Sequence, residues 1–424
     1  MFRAISDAFK IPELRKKILY TMMMIVVFRI GTAVPVPGIN TAVIKQLINQ
    51  QAGFLSFYDI VAGGALSNFT VFALSVGPYI TSSIIIQLLA VAIPSLEEMQ
   101  KSGEDGRKKI MAITRYLTVA LALIQSTALG IGFFRQALLS NSILNQITVV
   151  ATLTAGSAFL VWVGEQITEK GVGNGISILI FAGIVSRIPR GAIASTKKFM
   201  SKELSIVQVV VFLVLALAII IGVIMVLEAT RKIPVQYAKR VVGNRTYGGQ
   251  SSHIPVKINQ GGVIPVIFAS SVLMMPQVLT IFVKNPGYIK FVNKWLTTRQ
   301  VPGSYVYIIL SFLLIIFFTY FYMTIIFKPD EIAKDLKNAG GFIPGVRPGK
   351  ATEDYIFYVS NRLTLVGAVF LALIAAVPMF ILNILKVPFY FGGTSLLIVV
   401  GVALETMKMI EAQMVMRHYK GFLK

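Results

Sequence analysis

The stretch "FYDIVAGGALSNFTVFALSVGPYITSSIIIQLLAV" (57–91) is apolar enough to enter a membrane, yet its first half contains a carboxylate, a Gly-Gly pair and an Asn. Gly77 and Pro78 then interrupt the chain at the start of the second half, where proline breaks or kinks a helix. The first half, 57–72, is therefore predicted to be a separate half-helix that need not cross the membrane.

Four residues interrupt this predicted half-helix: Asp59, Gly63, Gly64 and Asn68. A broken helix at membrane depth survives only inside protein or beside a water-filled cavity, so these residues are expected to face a cavity rather than lipid. A surface helix lying on the outer leaflet explains the composition equally well, and both interpretations stay open at this point.

The whole chain has the composition of a membrane protein. Of its 424 residues, 55% are hydrophobic and 14% are charged, and the mean hydropathy is +0.76, which indicates several membrane spans. Cysteine is absent and there are two histidines, which excludes disulfides, thiolate nucleophiles and Cys/His metal sites. Since no Ser/His/Asp set or phosphate-binding loop is recognisable either, we expect neither an enzyme nor a bound cofactor.

Ten apolar runs approach the length that crosses about 30 Å of hydrocarbon. Because lipid offers the backbone no hydrogen bonds, each run is interpreted as a helix. The runs are 18–36, 73–93, 112–134, 148–168, 175–189, 204–227, 262–283, 304–327, 363–385 and 394–414. The sequence thus predicts an all-α polytopic membrane protein with ten transmembrane helices.

Lysine and arginine set the expected orientation. The net charge is +22, from 40 basic and 18 acidic residues. With the N-terminus inside, the inner segments hold 27 basic residues and the outer loops 12, which follows the positive-inside rule. Two outer stretches, 187–202 and 284–299, are basic against that rule. The prediction that both termini are cytoplasmic therefore rests on the sum of the charges.

Ten crossings divide into two groups of five, 1–192 and 193–424, with a long loop at 187–203 between them. An odd number of crossings inverts the second group, so an inverted repeat about an axis in the membrane plane is geometrically available. No internal sequence repeat supports it, and two inverted five-helix halves around a central pore remain an expectation.

Two inner loops are too long to be simple connectors. Residues 231–261 place two alternating segments around a Gly- and Asn-rich turn, which predicts a hairpin. Residues 328–362 predict a helix from Pro329 that stops at Gly340 and Gly341, a tip carrying Arg347, and a helix leading into the next span. Structured, basic protrusions suit docking of a large acidic partner, and ordinary solvated loops are the alternative.

Two aliphatic pairs are candidates for the lining of a pore. Val76 and Ile80 are four residues apart, as are Ile176 and Ile180, so each pair projects from one helix face. Such side chains offer nothing to replace the hydration shell of an ion, yet they make no demand on the sequence of a passing polypeptide. Ordinary helix packing explains the same spacing.

Several strings in the chain are specific to one family. They are "FRIGTAVPVPGI", "GGALSNFTVFAL", "GPYITSSIIIQLL", "GEDGRKKI", "GEQITEKGVGNGISILIFAGIV", "QSSHIPVKINQGGVIPVIFASS", "FIPGVRPG" and "KVPFYFGGTSLLIVV". In this order, and over nearly the whole chain, they resemble the SecY family of protein-conducting channel subunits in its bacterial form.

The resemblance implies a channel in the bacterial plasma membrane that passes unfolded secretory proteins outward and releases membrane helices sideways into lipid. In the family, the segment that matches 57–72 is a plug that stops the pore from outside. The positions that match the apolar pore ring are Val76, Ile80, Ile176, Ile180, Ile267 and Ile398.

The resemblance also implies a lateral gate, between 82–89 and 264–274. Its matching residues are Ser82, Ser83, Gln87, Ile264, Ser270 and Ser271. A seam between helices lets the apolar part of a signal sequence test the lipid. We expect Ser82, Ser83 and Gln87 to hydrogen-bond across the seam, each contact being worth about 0.6 to 2 kcal/mol, which is weak enough to open.

The expected partners also follow from the resemblance. They are SecE-type and SecG-type membrane subunits, the motor ATPase SecA, the ribosome, signal sequences, unfolded secretory proteins and the lipid bilayer. Arg347 matches a position associated with motor engagement, and Lys239, Arg240 and Arg245 are supporting charges. Asn244 stands where another basic residue is expected, which reduces the share of the first loop in that contact.

An ion-coupled transporter of small solutes is the main alternative, because inverted halves and broken helices suit it equally well. Such a transporter needs an ionisable group near the bilayer midplane. Four carboxylates lie toward the predicted span ends, and Glu405 is the exception. For Glu405 we favour a last helix that projects beyond the lipid over a carboxylate that faces the bundle interior. A basic docking protein without a pore would leave the Pro78 break unexplained.

Overall fold

The computed structural model describes residues 7–50, 59, 62–201, 205–237, 240–242, 245–247, 251–283, 285–296, 303–385 and 393–421. These residues form mainly helices. The α-helices are α1 Pro12–Gly31, α2 Thr41–Gln50, α3 Gly77–Ala92, α4 Pro94–Lys101, α5 Gly103–Thr127, α6 Ile143–Lys170, α7 Gly175–Val185, α8 Ile188–Met200, α9 Ile206–Glu228, α10 Ile264–Phe282, α11 Pro286–Trp295, α12 Gly303–Ile326, α13 Pro329–Asn338, α14 Lys350–Leu385 and α15 Gly393–Gly421.

Within the described residues, five helical stretches are long and apolar enough to cross a membrane. They are Gly103–Phe133, Ile143–Lys170, Ile206–Glu228, Tyr305–Asn338 and Lys350–Pro378. A sixth arises if α3 and α4, which meet at an angle of 103°, count together, and Gly175–Val185 and Ile264–Gln277 are shorter apolar helices. The all-helical class is confirmed, while the count of ten spans stays a prediction.

The predicted half-helix at 57–72 is wrong over 62–72, whereas Asp59, the other described residue of this range, is helical. Residues 62–76, called the turn segment below, form consecutive turns. Four residues in it have positive φ: Gly63 (65°), Gly64 (92°), Phe69 (42°) and Ser75 (50°). A right-handed helix cannot pass through such residues. Residues 57, 58, 60 and 61 of the predicted half-helix lie outside the described residues.

Two predicted span boundaries near this segment also move. The first helix ends at Gly31 rather than at residue 36, and α3 begins at Gly77 rather than at residue 73. Pro78 stands in the first turn of α3, where the missing N–H of proline has no intrahelical partner to lose. Proline therefore starts this helix rather than kinking it.

The fifth predicted span and the loop after it are both corrected. The span at 175–189 ends as α7 at Val185, and 11 residues measure only about 16 Å along a helix axis. The predicted loop at 187–203 is largely the helix α8, whose first turn contains Pro189. The same property of proline explains the error, because Pro189 was placed at the end of a span but stands in the first turn of the next helix.

The two long loops that the sequence predicts on the inner side fold together into one small domain, called the inner domain after that prediction. β1 (Thr230–Tyr237) pairs antiparallel with β4 (Ser251–Lys257), with Ile233 opposite Ile254, which confirms the predicted hairpin. β2 (Arg240–Val242) and β3 (Arg245–Tyr247) continue it as a two-stranded ribbon. A short β5 (Gly341–Phe342) from the second loop adds to the other edge of β1, which the sequence did not predict.

The core of this domain joins both loops. Ile233, Val235 and Val256 from the strands pack with Leu336 of α13 and Ile356 of α14. The predicted helix from Pro329 is confirmed as α13, and Gly340 follows it with a φ of 69°. The two predicted protrusions are thus one packed unit.

Candidate functional site

The six ring positions come together at the centre of the molecule. Val76 caps α3, Ile80 lies one turn into it, Ile176 and Ile180 lie on α7, and Ile267 and Ile398 lie on α10 and α15. All six belong to one hydrophobic cluster. Their placement as a ring stays a prediction.

Exposure divides the six into two kinds. Val76, Ile180 and Ile398 are almost fully buried, while Ile80, Ile176 and Ile267 are half-buried at the margin of the same cluster. Four separate elements therefore contribute aliphatic side chains to one cluster. The side chains of these six residues are all hydrocarbons, so they offer no hydrogen bond to water and no ligand atom to an ion.

The turn segment packs against this cluster. Ala62, Ala65 and Phe72 belong to it and are buried, and the ring of Phe72 stacks on that of Phe28 from α1, with centroids 6.2 Å apart. A side chain at Gly63 would place its Cβ 2.9 Å from the Cα of Gly183 on α7. Glycine at position 63 thus allows the backbone of the turn segment to touch α7.

Asp59 is held by a charge partner that the sequence analysis missed. Its side chain is 5% exposed, and it forms an ion pair with Arg187, which follows α7. The Ser67 N–H donates to Asp59 Oδ1 at 2.8 Å, and the Gly64 N–H donates to the Asp59 carbonyl at 2.9 Å. Asn68 Nδ2 donates to the Gly64 carbonyl at 3.4 Å. The four predicted plug residues therefore lie in one packed and hydrogen-bonded segment.

The signal for Arg187 was present in the sequence. An arginine next to an apolar run, in an outer stretch that is basic against the positive-inside rule, calls for an acidic partner. Asp59 is 128 residues away, and no sequence pattern joins the two positions.

Among the residues that the structure describes, the polar side chains of the predicted gate bond within their own helices and not across the seam, contrary to that expectation. Ser82 Oγ donates to the Pro78 carbonyl at 2.8 Å within α3, and Gln87 Nε2 donates to Ser83 Oγ at 3.3 Å in the same helix. On α10, Ser270 and Ser271 donate to the carbonyls four residues earlier, at 2.8 and 2.9 Å. Serine in an apolar helix satisfies its hydroxyl in this way.

Aliphatic side chains of α3 and α10 belong to one hydrophobic cluster. Ile84 of α3 shares a hydrophobic cluster with Ile264, Val266 and Ile267 of α10. The side-chain oxygen Oε1 of Gln87 is buried and has no hydrogen-bond partner within the described residues. Within the described residues, α3 and α10 thus share apolar surroundings.

The predicted docking residues lie on the small inner domain. Arg347 is exposed at the tip between β5 and α14, where its carbonyl accepts from Thr352 Oγ1 at 2.8 Å. Arg240 and Arg245 lie on the paired strands β2 and β3. Lys239 lies outside the described residues. The structure therefore places Arg347 on this domain, and Arg240 and Arg245 on the ribbon that lies between β1 and β4 in the chain.

Comparison with known proteins decides the family. The SecY family model matches residues 70–407. The protein translocase subunit SecY of Halalkalibacterium halodurans is 48% identical over 436 residues, which cover 100% of both chains. The chain belongs to the SecY family.

Solved structures agree with this membership. A structure described as that of a protein conducting channel matches with a TM-score of 0.69 at 19% identity, over 97% of both chains. A chain of the canine ribosome-channel complex from the endoplasmic reticulum matches with a TM-score of 0.64 at 17% identity, also over 97% of both chains. At these identities the likeness concerns the fold, and this SecY-family member shares it over nearly its whole length.

Proposed function

We propose that this chain is the pore-forming subunit of a protein translocase in the bacterial plasma membrane, a channel rather than an enzyme. It passes unfolded secretory polypeptides outward and releases apolar helices sideways into lipid. The observation that carries this proposal is the meeting of the six ring residues in one aliphatic cluster, with the turn segment packed against it. Membership of the SecY family and the translocase relative support it.

The six ring residues form the constriction of the channel. A narrow aliphatic opening resists ions by dewetting, since it offers no group to replace their hydration shell. A polypeptide can still pass, because branched aliphatic side chains make no directional demands. Asp59 and the turn segment form a plug that closes the outer side of this opening.

The lateral gate lies between α3 and α10. The hydrophobic cluster that Ile84 shares with residues of α10 supports a seam that parts without breaking strong polar bonds. Signal sequences would enter lipid here. When the seam opens, α3 and α10 lose apolar contacts, and the apolar part of the signal sequence replaces them with apolar contacts of its own.

The full topology is ten transmembrane helices in two inverted halves, 1–192 and 193–424, with both termini cytoplasmic. The helices α9, α12 and α14 of the second half support it by their length and apolar composition. The small inner domain then lies in the cytoplasm, and the Asp59–Arg187 pair lies toward the outside.

The partners include SecE-type and SecG-type membrane subunits, SecA and the ribosome. The exposed tip at Arg347 gives the domain a basic docking point, and such charges steer association with acidic partners. The structurally similar canine channel, which is described in a ribosome-channel complex, supports the ribosome as a partner. Energy for transport comes from the motor or the ribosome.

An ion-coupled transporter is not supported by the central site. The cluster that contains the ring residues consists of hydrophobic side chains, whereas a transporter of that kind needs an ionisable group at the midplane. Glu405 is exposed on α15, outside this cluster.

Reconstitution tests the function. Vesicles that contain the chain with its SecE- and SecG-type partners, SecA and ATP should protect an added unfolded precursor from protease in an ATP-dependent way. Uptake of a small solute driven by an ion gradient, without protection of any precursor, would favour the transporter instead.

A further inference from the structure

One outer segment remains unexplained by the channel. Residues 187–202 contain five basic residues and no acidic one, although the positive-inside rule disfavours such an outer loop. Most of this segment is the helix α8, which the sequence analysis expected to be loop. A basic helix at this place calls for an anionic partner.

The residues of α8 divide into two faces. At about 100° per residue, positions 188, 193, 199 and 200 fall within one apolar sector of about 140°. The basic positions 190, 197 and 198 fall within the neighbouring sector of about 100°, while Arg187 caps the helix and is paired with Asp59. A helix with one apolar and one cationic face is typical of segments that lie in the membrane–water interface.

The apolar face of α8 points away from the protein. Ile188 is 42% exposed, Ile193 57%, Phe199 39% and Met200 82%. Gly191, on another side of the helix, is buried and marks the side that faces the protein. Four large apolar side chains on one short helix are too many to be left facing water without a partner.

The position of α8 in the chain indicates that its partner is the membrane surface. Only Ser186 and Arg187 separate it from the end of α7, an apolar helix of the transmembrane region, so α8 starts at the membrane surface. Its apolar face can then enter the boundary of the acyl chains while Lys197 stays among the headgroups, since lysine keeps its charge in water on an apolar stem.

We propose that α8 lies in the outer membrane–water interface and binds anionic phospholipid there. Its exposed apolar face inserts into the acyl boundary, and its basic face contacts the phosphates. This proposal rests on the proposed topology, which places the segment after α7 outside. The partner is the lipid bilayer rather than an acidic protein, because a bilayer offers acyl chains to the apolar face of α8 and phosphates to its basic face at the same time.

Site-specific fluorescence in vesicles tests the proposal. The chain has no native cysteine, so a single Ile193→Cys variant can carry a polarity-sensitive fluorophore, with Asn141→Cys as the control in an exposed outer loop. The complex is reconstituted into phosphatidylcholine vesicles with and without phosphatidylglycerol, and brominated lipid reports contact with acyl chains.

The label at position 193 should be quenched by brominated lipid, more strongly with phosphatidylglycerol, while the label at position 141 stays in water. Lys197→Gln should lower the ratio of inserted to exposed label about fivefold, since each basic residue near an anionic surface contributes about 1 kcal/mol. Lys45→Gln, which removes an exposed lysine of α2, should leave the ratio unchanged.

Three results would overturn the lipid site. First, the label at position 193 could behave like the label at position 141. Second, brominated lipid could quench it equally with and without phosphatidylglycerol. Third, it could be shielded from aqueous iodide and yet not be quenched by brominated lipid, which would mean that a protein covers α8. Precursor transport is measured on the same vesicles. If transport fails while the label still responds to phosphatidylglycerol, the channel proposal fails and the lipid site stands.

Discussion

Asp59 is a nearly buried carboxylate in an otherwise apolar segment, and two contacts account for it. The Ser67 N–H donates to one carboxylate oxygen, and Arg187 pairs with the other. A buried charge is tolerated when it is both paired and hydrogen-bonded. Because Arg187 follows α7 and Asp59 precedes the turn segment, the pair ties the proposed plug to the wall of the proposed pore.

Removing the charge of Asp59 should loosen the plug. Asp59→Asn keeps an oxygen for the Ser67 N–H but leaves Arg187 without this partner, which should cost the closed state about 3 kcal/mol. We expect a higher ion leak from vesicles that contain the variant. Arg187→Gln should raise the leak similarly, and the double variant should add little more, because both changes break one contact.

Glu165→Gln is the matched control. It breaks the pair between Glu165 and Arg115, whose arginine side chain is 58% exposed. Such a pair contributes less than about 1 kcal/mol, so the leak should stay low. An Asp59→Asn channel as tight as the parent would show that the pair does not hold the plug.

Arg347 is the residue on which we expect motor docking to depend. It is exposed at the tip of the inner domain, so Arg347→Glu should leave the fold intact. Loss of one interfacial charge contact costs about 2 kcal/mol or more, so SecA-driven translocation should fall at least about tenfold. Lys350→Glu, three residues away and also exposed, is the control for net charge. Normal ATP-dependent translocation by the Arg347 variant would remove this residue from the mechanism.

For single residues, the sequence predicted which side chains lie in the central cluster better than it predicted which partners they contact. The spacing of Val76 with Ile80, and of Ile176 with Ile180, predicted side chains that the structure brings into one cluster. The serines of the gate were misjudged because a hydroxyl in an apolar helix has an acceptor one turn earlier in its own helix. Arg187 was missed because its partner is distant in sequence.

Among the elements, α6 packs closely against both the turn segment and α7. A Cβ at Gly156 would lie 2.0 Å from the Val71 carbonyl oxygen of the turn segment, and a Cβ at Gly175 of α7 would lie 1.9 Å from the Gly164 carbonyl oxygen of α6. Backbone atoms form these limits, so side-chain rearrangement cannot relieve them. Glycine at these positions lets α6 touch both the turn segment and α7.

Gly156→Ala should therefore destabilise the protein. We expect a loss of about 1 to 3 kcal/mol, the range found for overpacking, seen as a lower midpoint in thermal unfolding in detergent. Gly222→Ala on α9 is the control, because its Cβ would meet only the ring edge of Phe370 at 3.2 Å. An equal midpoint for Gly156→Ala and the parent would contradict the close contact of α6 with the turn segment.

Elements with strong local signals were predicted, and those decided by proline and glycine were not. The alternating segments of the hairpin gave β1 and β4, and Gly340 ended α13. Pro78 was interpreted as a break and Pro189 as the end of a span, but each stands in the first turn of a helix. The turn segment is not a helix because Gly63 and Gly64 have positive φ. Glycine adopts positive and negative φ about equally readily, so its presence in the sequence does not predict which one occurs.

For the whole molecule, the proposed orientation can be tested directly because the chain has no cysteine. Ser252→Cys lies on β4 of the inner domain, and Asn141→Cys lies in the loop before α6, and both positions are exposed. In intact cells an impermeant maleimide should label Asn141→Cys alone, and both variants should react after lysis. Labelling of Ser252→Cys in intact cells would reverse the topology on which the channel and the lipid site of α8 depend.

Class and family were predictable at this scale because they depend on quantities summed over the chain. Hydropathy and the basic residues predicted an all-helical membrane protein, and the family strings predicted SecY membership, which the comparisons confirm. The packing of the two inner loops into one domain was not predictable, since the pairing of β5 with β1 joins residues about a hundred positions apart.

The path of the polypeptide is the most direct test of the central claim. A photoreactive residue is placed in turn at Ile80, Ile180 and Ile267, with Leu313, which is exposed on α12, as the control. A secretory precursor is then stalled during SecA-driven transport. We predict crosslinks to the precursor from all three cluster positions and none from the control. Efficient transport without a crosslink at any of the three would contradict the proposed pore.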